Sequence, residues 1–167
     1  ELRLSDYLEQ GGWAANADMQ LQVSDWGSVT ARGMIQTAGF GALDQSLSQR
    51  RLEDLQQINI SSNFEMGRFF PEKAHVSIPL YYAYSNEVIT PRYNPLDQDV
   101  LLSEALKATT NKSQRDSIRR MAITETRTHS LSLNNIRVDV KSKTPMPYDP
   151  ANFSFSYSHA HTHTTGE

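Results

Sequence analysis

The chain has 167 residues and a formal net charge of −3, the size of one ordinary domain, and its mixed-sign charge gives no basic footprint for nucleic acid. It lacks cysteine, which excludes a disulfide framework and a thiolate metal site, and no run approaches the roughly 20 apolar residues of a membrane helix. A membrane-spanning barrel is not excluded, because half the residues of each of its strands are polar and leave no hydropathy peak.

Residues 1–16 read as a lead-in. The start at Glu1 rather than Met, and an end on a strand-like run, suggest an internal fragment, for which the lack of a signal peptide carries little weight. Barrel-wall strands are expected over 17–93. Ala17, Met19, Leu21 and Val23 alternate with Asp18, Gln20, Gln22 and Ser24, and Asp25-Trp26-Gly27 marks a tight turn. Val29, Ala31, Gly33 and Ile35 then alternate with polar neighbours, and 39–55 reads as a polar loop with a helical turn.

The most informative stretch is 56–93, which reads as one long hairpin. Ile58, Ile60, Phe64 and Met66, with Phe70, share one parity, and Asn59, Ser61, Asn63 and Glu65 share the other. After a turn at Pro71-Glu72-Lys73, Val76, Ile78 and Leu80, then Tyr82 and Tyr84, alternate against Ser77, Tyr81, Ala83 and Ser85. Side chains alternate across a strand, so the pattern specifies a sheet with one apolar and one polar face. Such a sheet is either the wall of a soluble sandwich or barrel, or a transmembrane wall whose apolar face meets lipid and whose polar face lines a lumen.

Asn94-Pro95 breaks the strand, since proline removes a ladder donor and restricts its predecessor. Across 94–121 two short helices are expected, the first from Asp99 with Leu102 and Leu106 four apart, the second from Ser113 to Met121 with Ser113-Gln114-Arg115-Asp116 as a loose capping box. Arg115, Arg119 and Arg120 form a basic face suited to phosphate or lipid A, though the ordinary reading of such a run is solvated helix surface.

Barrel-wall strands return over 122–167. Apolar parity flips between Leu133 and Ile136, which makes Asn134-Asn135 a bulge or a hairpin turn; the bulge is favoured, because a tilted strand needs roughly 9–11 residues to cross a bilayer. Pro79 inside the return strand calls for a bend, and Arg68 near a strand end suits a headgroup contact. Tyr82, Tyr84, Tyr93, Phe69, Phe70 and Trp26 suggest an aromatic girdle at strand ends. Short turns at 25–27 and 71–74 fall on one end of the sheet and long excursions at 39–55 and 94–121 on the other, as in outer-membrane barrels.

Four blocks then point to a family. Tyr93-Asn94-Pro95-Leu96-Asp97-Gln98-Asp99, following Ile89-Thr90-Pro91-Arg92, and Pro147-Tyr148-Asp149-Pro150-Ala151-Asn152-Phe153 resemble the SprA/Sov family of giant outer-membrane proteins, as do Thr37-Ala38-Gly39-Phe40-Gly41 and Phe69-Phe70-Pro71-Glu72-Lys73-Ala74. The resemblance runs from about Trp26 onward. It implies an internal piece of the outer-membrane translocon of the type IX secretion system of Bacteroidota, a Gram-negative group. Its implied partners are secreted cargo proteins, other type IX components and outer-membrane lipid, and its implied roles are protein secretion and gliding motility.

The rival chemistry lies at the C-terminus. His159, His161 and His163 share a strand face, and His161, His163 and Glu167 have the spacing of the first metal motif of cupin oxygenases, a donor set that suits divalent transition metals. Phe155 stands where that motif wants glycine, and no second histidine motif follows. No nucleophile elbow, phosphate loop or dinucleotide fingerprint occurs. The expected molecule is therefore all-β: an antiparallel meander from a large transmembrane barrel wall with a two-helix insertion, without cofactor or catalysis. A soluble all-β cell-surface binding domain and a cupin-like metalloenzyme are the alternatives.

Overall fold

A computed structural model describes residues 12–40, 52–71, 74–138 and 146–166. The first eleven residues, most of the 39–55 loop, Glu72-Lys73 of the expected turn, Val140 and Glu167 lie outside the described residues. The described chain is mostly antiparallel strand, as the period-two pattern requires. Its strands are β1 (Ala14–Val23), β2 (Gly27–Gln36), β3 (Glu53–Glu65), β4 (Val76–Ser77), β5 (Pro79–Pro91), β6 (Tyr93–Asn94), β7 (Asp97–Leu101), β8 (Thr124–Val138) and β9 (Phe155–Thr165). Two helices, α1 (Leu102–Ala108) and α2 (Lys112–Ala122), follow β7.

Consecutive long strands pair in the order β1-β2-β3-β5-β8, with β9 on the far side of β8, and β6-β7 form a separate two-stranded ribbon. The connections 24–26 and 66–75 leave one end of this sheet. Those at 37–52 and 92–123, which carry the ribbon and the helices, leave the other. The 139–154 connection returns on the same end as 24–26, so that end is not uniformly short.

The hairpin expected over 56–93 takes a different form at its tip. β3 stops at Glu65, and Met66–Phe69 wind into one turn of 3-10 helix, so Met66 leaves the strand face on which parity placed it. Glu65 organises this tip: Oε1 accepts from the Gly67 and Ile78 amides at 3.1 and 2.7 Å, and Oε2 accepts from the Ser77 hydroxyl at 3.4 Å. The bend expected around Pro79 is the break between β4 and β5. Both strands pair with β8, and proline opens β5, where a missing amide interrupts no ladder.

Asn134-Asn135 is a bulge within a continuous β8 rather than a turn. The β8–β9 register shifts between Leu133 and Ile136, and Asn135 takes a φ of 55°. The extra residue resolves the parity flip. Leu133 faces Leu80 and Tyr157, while Ile136 faces Phe155 and Val138 faces Val76, so apolar side chains stay on one face across the shift.

The insertion begins later as helix than the leucine spacing suggests. Asp97–Leu101 is strand, and α1 starts at Leu102. Asn111 caps α2 by accepting from the Ser113 amide at 3.0 Å, which takes the capping role that Ser113 was expected to hold.

The tip generates a stability prediction. A Cβ on Gly67 would lie 2.1 Å from the Val76 carbonyl oxygen, backbone that cannot step aside, whereas a Cβ on Gly33 meets nothing within 4 Å. Gly67→Ala should cost about 1–3 kcal/mol of the full-length protein's stability. Gly33→Ala should change it by less than about 0.5 kcal/mol, measured by urea unfolding in detergent.

Candidate functional site

The candidate site is the sheet itself, because its two faces are chemically distinct and neither is covered. Among the described residues the buried hydrophobic side chains are Leu102 and Ala122, both in the helical insertion. The sheet contributes none. Met19, Leu21 and Ile58 stand 61, 55 and 51 % exposed, and Ile60 37 %.

On one face lie Ile58, Ile60 and Phe64 of β3, beside Val29, Ala31 and Ile35 of β2 and Met19, Leu21 and Val23 of β1. Val76 and Leu80 continue this face toward Leu131 and Leu133 of β8, and Ile78 links them through the β4–β5 break. The opposite face carries Asn59, Ser61 and Asn63. They sit in register with Arg32, Thr30 and Ser28 on one side, and with Ser85, Ala83 and Tyr81 on the other. Hydroxyls and amides pair across strands here: Ser85 Oγ donates to Asn59 Oδ1 at 2.7 Å, and the Thr128 and Thr162 hydroxyls share a bond of 3.1 Å. Arg32 and Asp18 form an exposed ion pair at 2.9 Å. Thr30, Asn59, Ser61, Ser85, Thr128 and Ser130 line a shallow trough of about 530 Å³. Ser77 and Glu65 are drawn into the tip described above, where Glu65 serves the backbone.

Register shows a feature that parity alone hides. On the apolar face, with Val88 set aside because it stands alone beyond Asn86 on β5, the last apolar residue toward the helical end is Ile35 on β2, Ile58 on β3, Tyr84 on β5, Leu131 on β8 and Tyr157 on β9. Carried through the pairings, these lie level with positions 88, 86, 84, 82 and 80 of β5. Val88 is the apolar residue beyond this line. The boundary therefore steps two residues per strand, about 6.6 Å along the chain for each ~4.8 Å across the sheet. A level apolar band then requires strands inclined by roughly 54°, about 10° steeper than the roughly 35–45° of membrane barrels.

The histidines fall outside that band. His129 lies opposite His161, and Arg127 opposite His163, beyond Leu131 and Tyr157 on the same face. His129 Nδ1 is 3.0 Å from the Tyr82 hydroxyl, and its ring packs on Tyr84 with centroids 4.9 Å apart. Among the described residues no group of three or more His, Asp or Glu is placed to hold a metal ion, and a guanidinium-bearing residue opposite His163 is a poor neighbour for one.

Aromatic residues divide differently from the expected girdle. Trp26 and Phe69 meet edge to face at 4.9 Å, with Phe70 nearby in sequence, at the end carrying the 24–26 turn, where Arg68 reaches Asp25 at 3.7 Å. Tyr82 and Tyr84 sit mid-strand instead.

Two of the four family-like blocks, those beginning at Tyr93 and Pro147, build turns. Asn94, 8 % exposed, accepts from the Leu96 amide at 3.2 Å, and Asp97 accepts from the Asp99 amide at 3.3 Å, which folds Asn94-Pro95-Leu96-Asp97 between Tyr93 and the rest of β7. Asp149 accepts from the Met146 amide at 2.8 Å, and the Asn152 side chain donates to the Met146 and Pro147 carbonyls at 2.9 and 3.4 Å. Pro147, Tyr148 and Pro150 shape this loop in sequence, and Tyr148 and Phe153 are exposed. The side-chain chemistry of both blocks is thus spent locally.

Ile60 and His161 share one register row through Tyr84 and His129, yet lie on opposite sides of the band boundary. Arginine at Ile60, about 4 Å inside the boundary, should cost on the order of 1 kcal/mol and weaken membrane assembly of the full-length protein, while arginine at His161 should assemble normally. Heat-modifiable gel mobility of membrane fractions checks both.

No curated protein matches the chain. The family model SprA_N, described as motility related/secretion protein, matches residues 1–106. The matched stretch begins before Trp26 and ends before the Pro147–Phe153 block. With well over half its length matched, from β1 to the first helix of the insertion, the chain belongs to the SprA family of motility and secretion proteins.

Proposed function

We propose that this sheet is part of the wall of an outer-membrane protein-conducting channel, the translocon of the type IX secretion system. The apolar face meets lipid and the hydroxyl-rich face lines the lumen. The observation that carries the reading is an apolar face that no second layer covers among the described residues and whose boundary, Val88 apart, steps two residues per strand, where a soluble sheet packs such a face on a core. Family membership in motility and secretion supports it from a separate direction.

The chemistry of the wall is passive. Short neutral side chains such as Thr30, Asn59, Ser61, Ser85 and Thr128 offer water-exchangeable hydrogen bonds, and Asn59 with Ser85 and Thr128 with Thr162 already pair across strands. A passing polypeptide gains little by binding there, so it is not retained. Cargo proteins and the other secretion components are the partners in this reading, and gating and energy come from elsewhere.

The chain contributes no cysteine, so introduced thiols report cleanly on its two faces. In cells carrying the full-length protein, a bulky water-soluble maleimide should modify cysteine at Ser61 or Ser130 and slow cargo release. The same reagent should leave cysteine at Ile58 unmodified. Reaction at Ile58 as fast as at Ser61 would place that face in water and reject the wall.

A further inference from the structure

We infer that the groove between the end of the β3–β5 hairpin and the two helices holds the phosphate-bearing headgroup of an acyl lipid, an inference that rests on the wall reading above. The groove has a volume of about 370 Å³. It is lined by Leu101, Leu102, Leu106 and Ile123 together with Arg92, Arg119 and Asp54.

Three observations converge on a lipid rather than another anion. The first is the face. Asp54 and Thr90, opposite one another, share the parity of Ile58 and Ile60, so the groove opens on the side assigned to lipid and away from the polar trough. The second is depth. Asp54 lies four residues past Ile58, about 13 Å along a strand, which at the inclination derived above is roughly 8 Å beyond the apolar band. The phosphate-bearing layer of a bilayer occupies roughly the 5–8 Å outside its hydrocarbon.

The third is charge. Among the described residues neither Arg92 nor Arg119 forms an ion pair. Asp54 accepts from the Ala38 amide at 2.7 Å, and two arginines against this one carboxylate give the groove lining a net positive charge beside four apolar residues. Each guanidinium group is itself a planar fork of donors that matches phosphate, and the leucines offer the adjoining surface that a glycerol backbone or the first acyl carbons require.

Arg120, which follows Arg119 in the last turn of α2, does not line the groove and serves as the control. The probes are phosphatidylglycerol and phosphatidylcholine with identical acyl chains, added to the detergent-solubilised full-length protein and counted by native mass spectrometry. Phosphatidylglycerol should bind more tightly than phosphatidylcholine, and Arg92→Gln and Arg119→Gln should each weaken it about fivefold. Arg120→Gln should leave binding unchanged, and inorganic phosphate at the same concentration should not displace the lipid.

Equal binding of the two lipids, or equal losses in all three variants, overturns the site. Displacement by inorganic phosphate overturns the lipid assignment in favour of a free-anion site. A lipid-contact label at Ile58 in the same preparations separates the outcomes: lipid contact without headgroup discrimination rejects this groove alone, and water at Ile58 rejects the wall on which it rests.

Discussion

The alternation of side chains across one continuously hydrogen-bonded sheet is the constraint on which the rest of this structure depends. Every strand must keep its apolar residues on the same side as those of its neighbours, since a slip of one residue would exchange the two faces. The irregularities all serve that requirement. The Asn134-Asn135 bulge lets Leu133 and Ile136 share a face despite their opposite parity, and Pro79 falls where its missing amide costs no ladder bond. Glu65 replaces the lost ladder at the hairpin tip with three side-chain hydrogen bonds.

Holding two faces apart in this way gives, in the proposed channel, a wall rather than a core. An ordinary domain buries its apolar face against a second layer. Here that face is left exposed, and the buried apolar side chains among the described residues belong to the insertion at one end. The opposite face is rich in small hydroxyl and amide groups, of which Asn59 with Ser85 and Thr128 with Thr162 pair across strands. In the proposed channel this gives a lumen that passes polypeptide without retaining it. Where the sheet ends, the polar turns of the family-like blocks consume their own side chains, so they shape the rims and leave the faces to do the chemistry.

Much of this was legible in the sequence. Period two gave the strands, their two faces and the bulge; Asn94-Pro95 marked the break, and the apolar spacing of Leu102 and Leu106 marked the first helix. What was hidden depends on partners distant in sequence. The 3-10 turn at Met66 follows from Glu65 meeting the Gly67 and Ile78 amides, which no local propensity encodes. Asp99–Leu101 reads as helical because its composition is ambiguous, and pairing of Leu101 with Tyr93 decides it as strand. Tyr82 and Tyr84 looked like strand-end residues only because the strand's true length was unknown. The stepped boundary is the clearest case, since it exists only once Ile35, Ile58, Tyr84, Leu131 and Tyr157 are set in register. It also gives the three C-terminal histidines their place, on a strand face that has already left the apolar band.

The central claim is that the apolar face is a lipid face whose limit follows that step. Spin labels placed singly at Ile35, Ile58, Leu131, Tyr157, His159 and His163 of the full-length protein in bilayers, read by their relative accessibility to oxygen and to a water-soluble nickel chelate, measure it directly. The account predicts oxygen-dominated accessibility at the first four and chelate-dominated accessibility at His159 and His163, although His159 shares its register row with Leu131. Chelate access at all six positions, or a boundary that follows register rows instead of stepping two residues per strand, would contradict it.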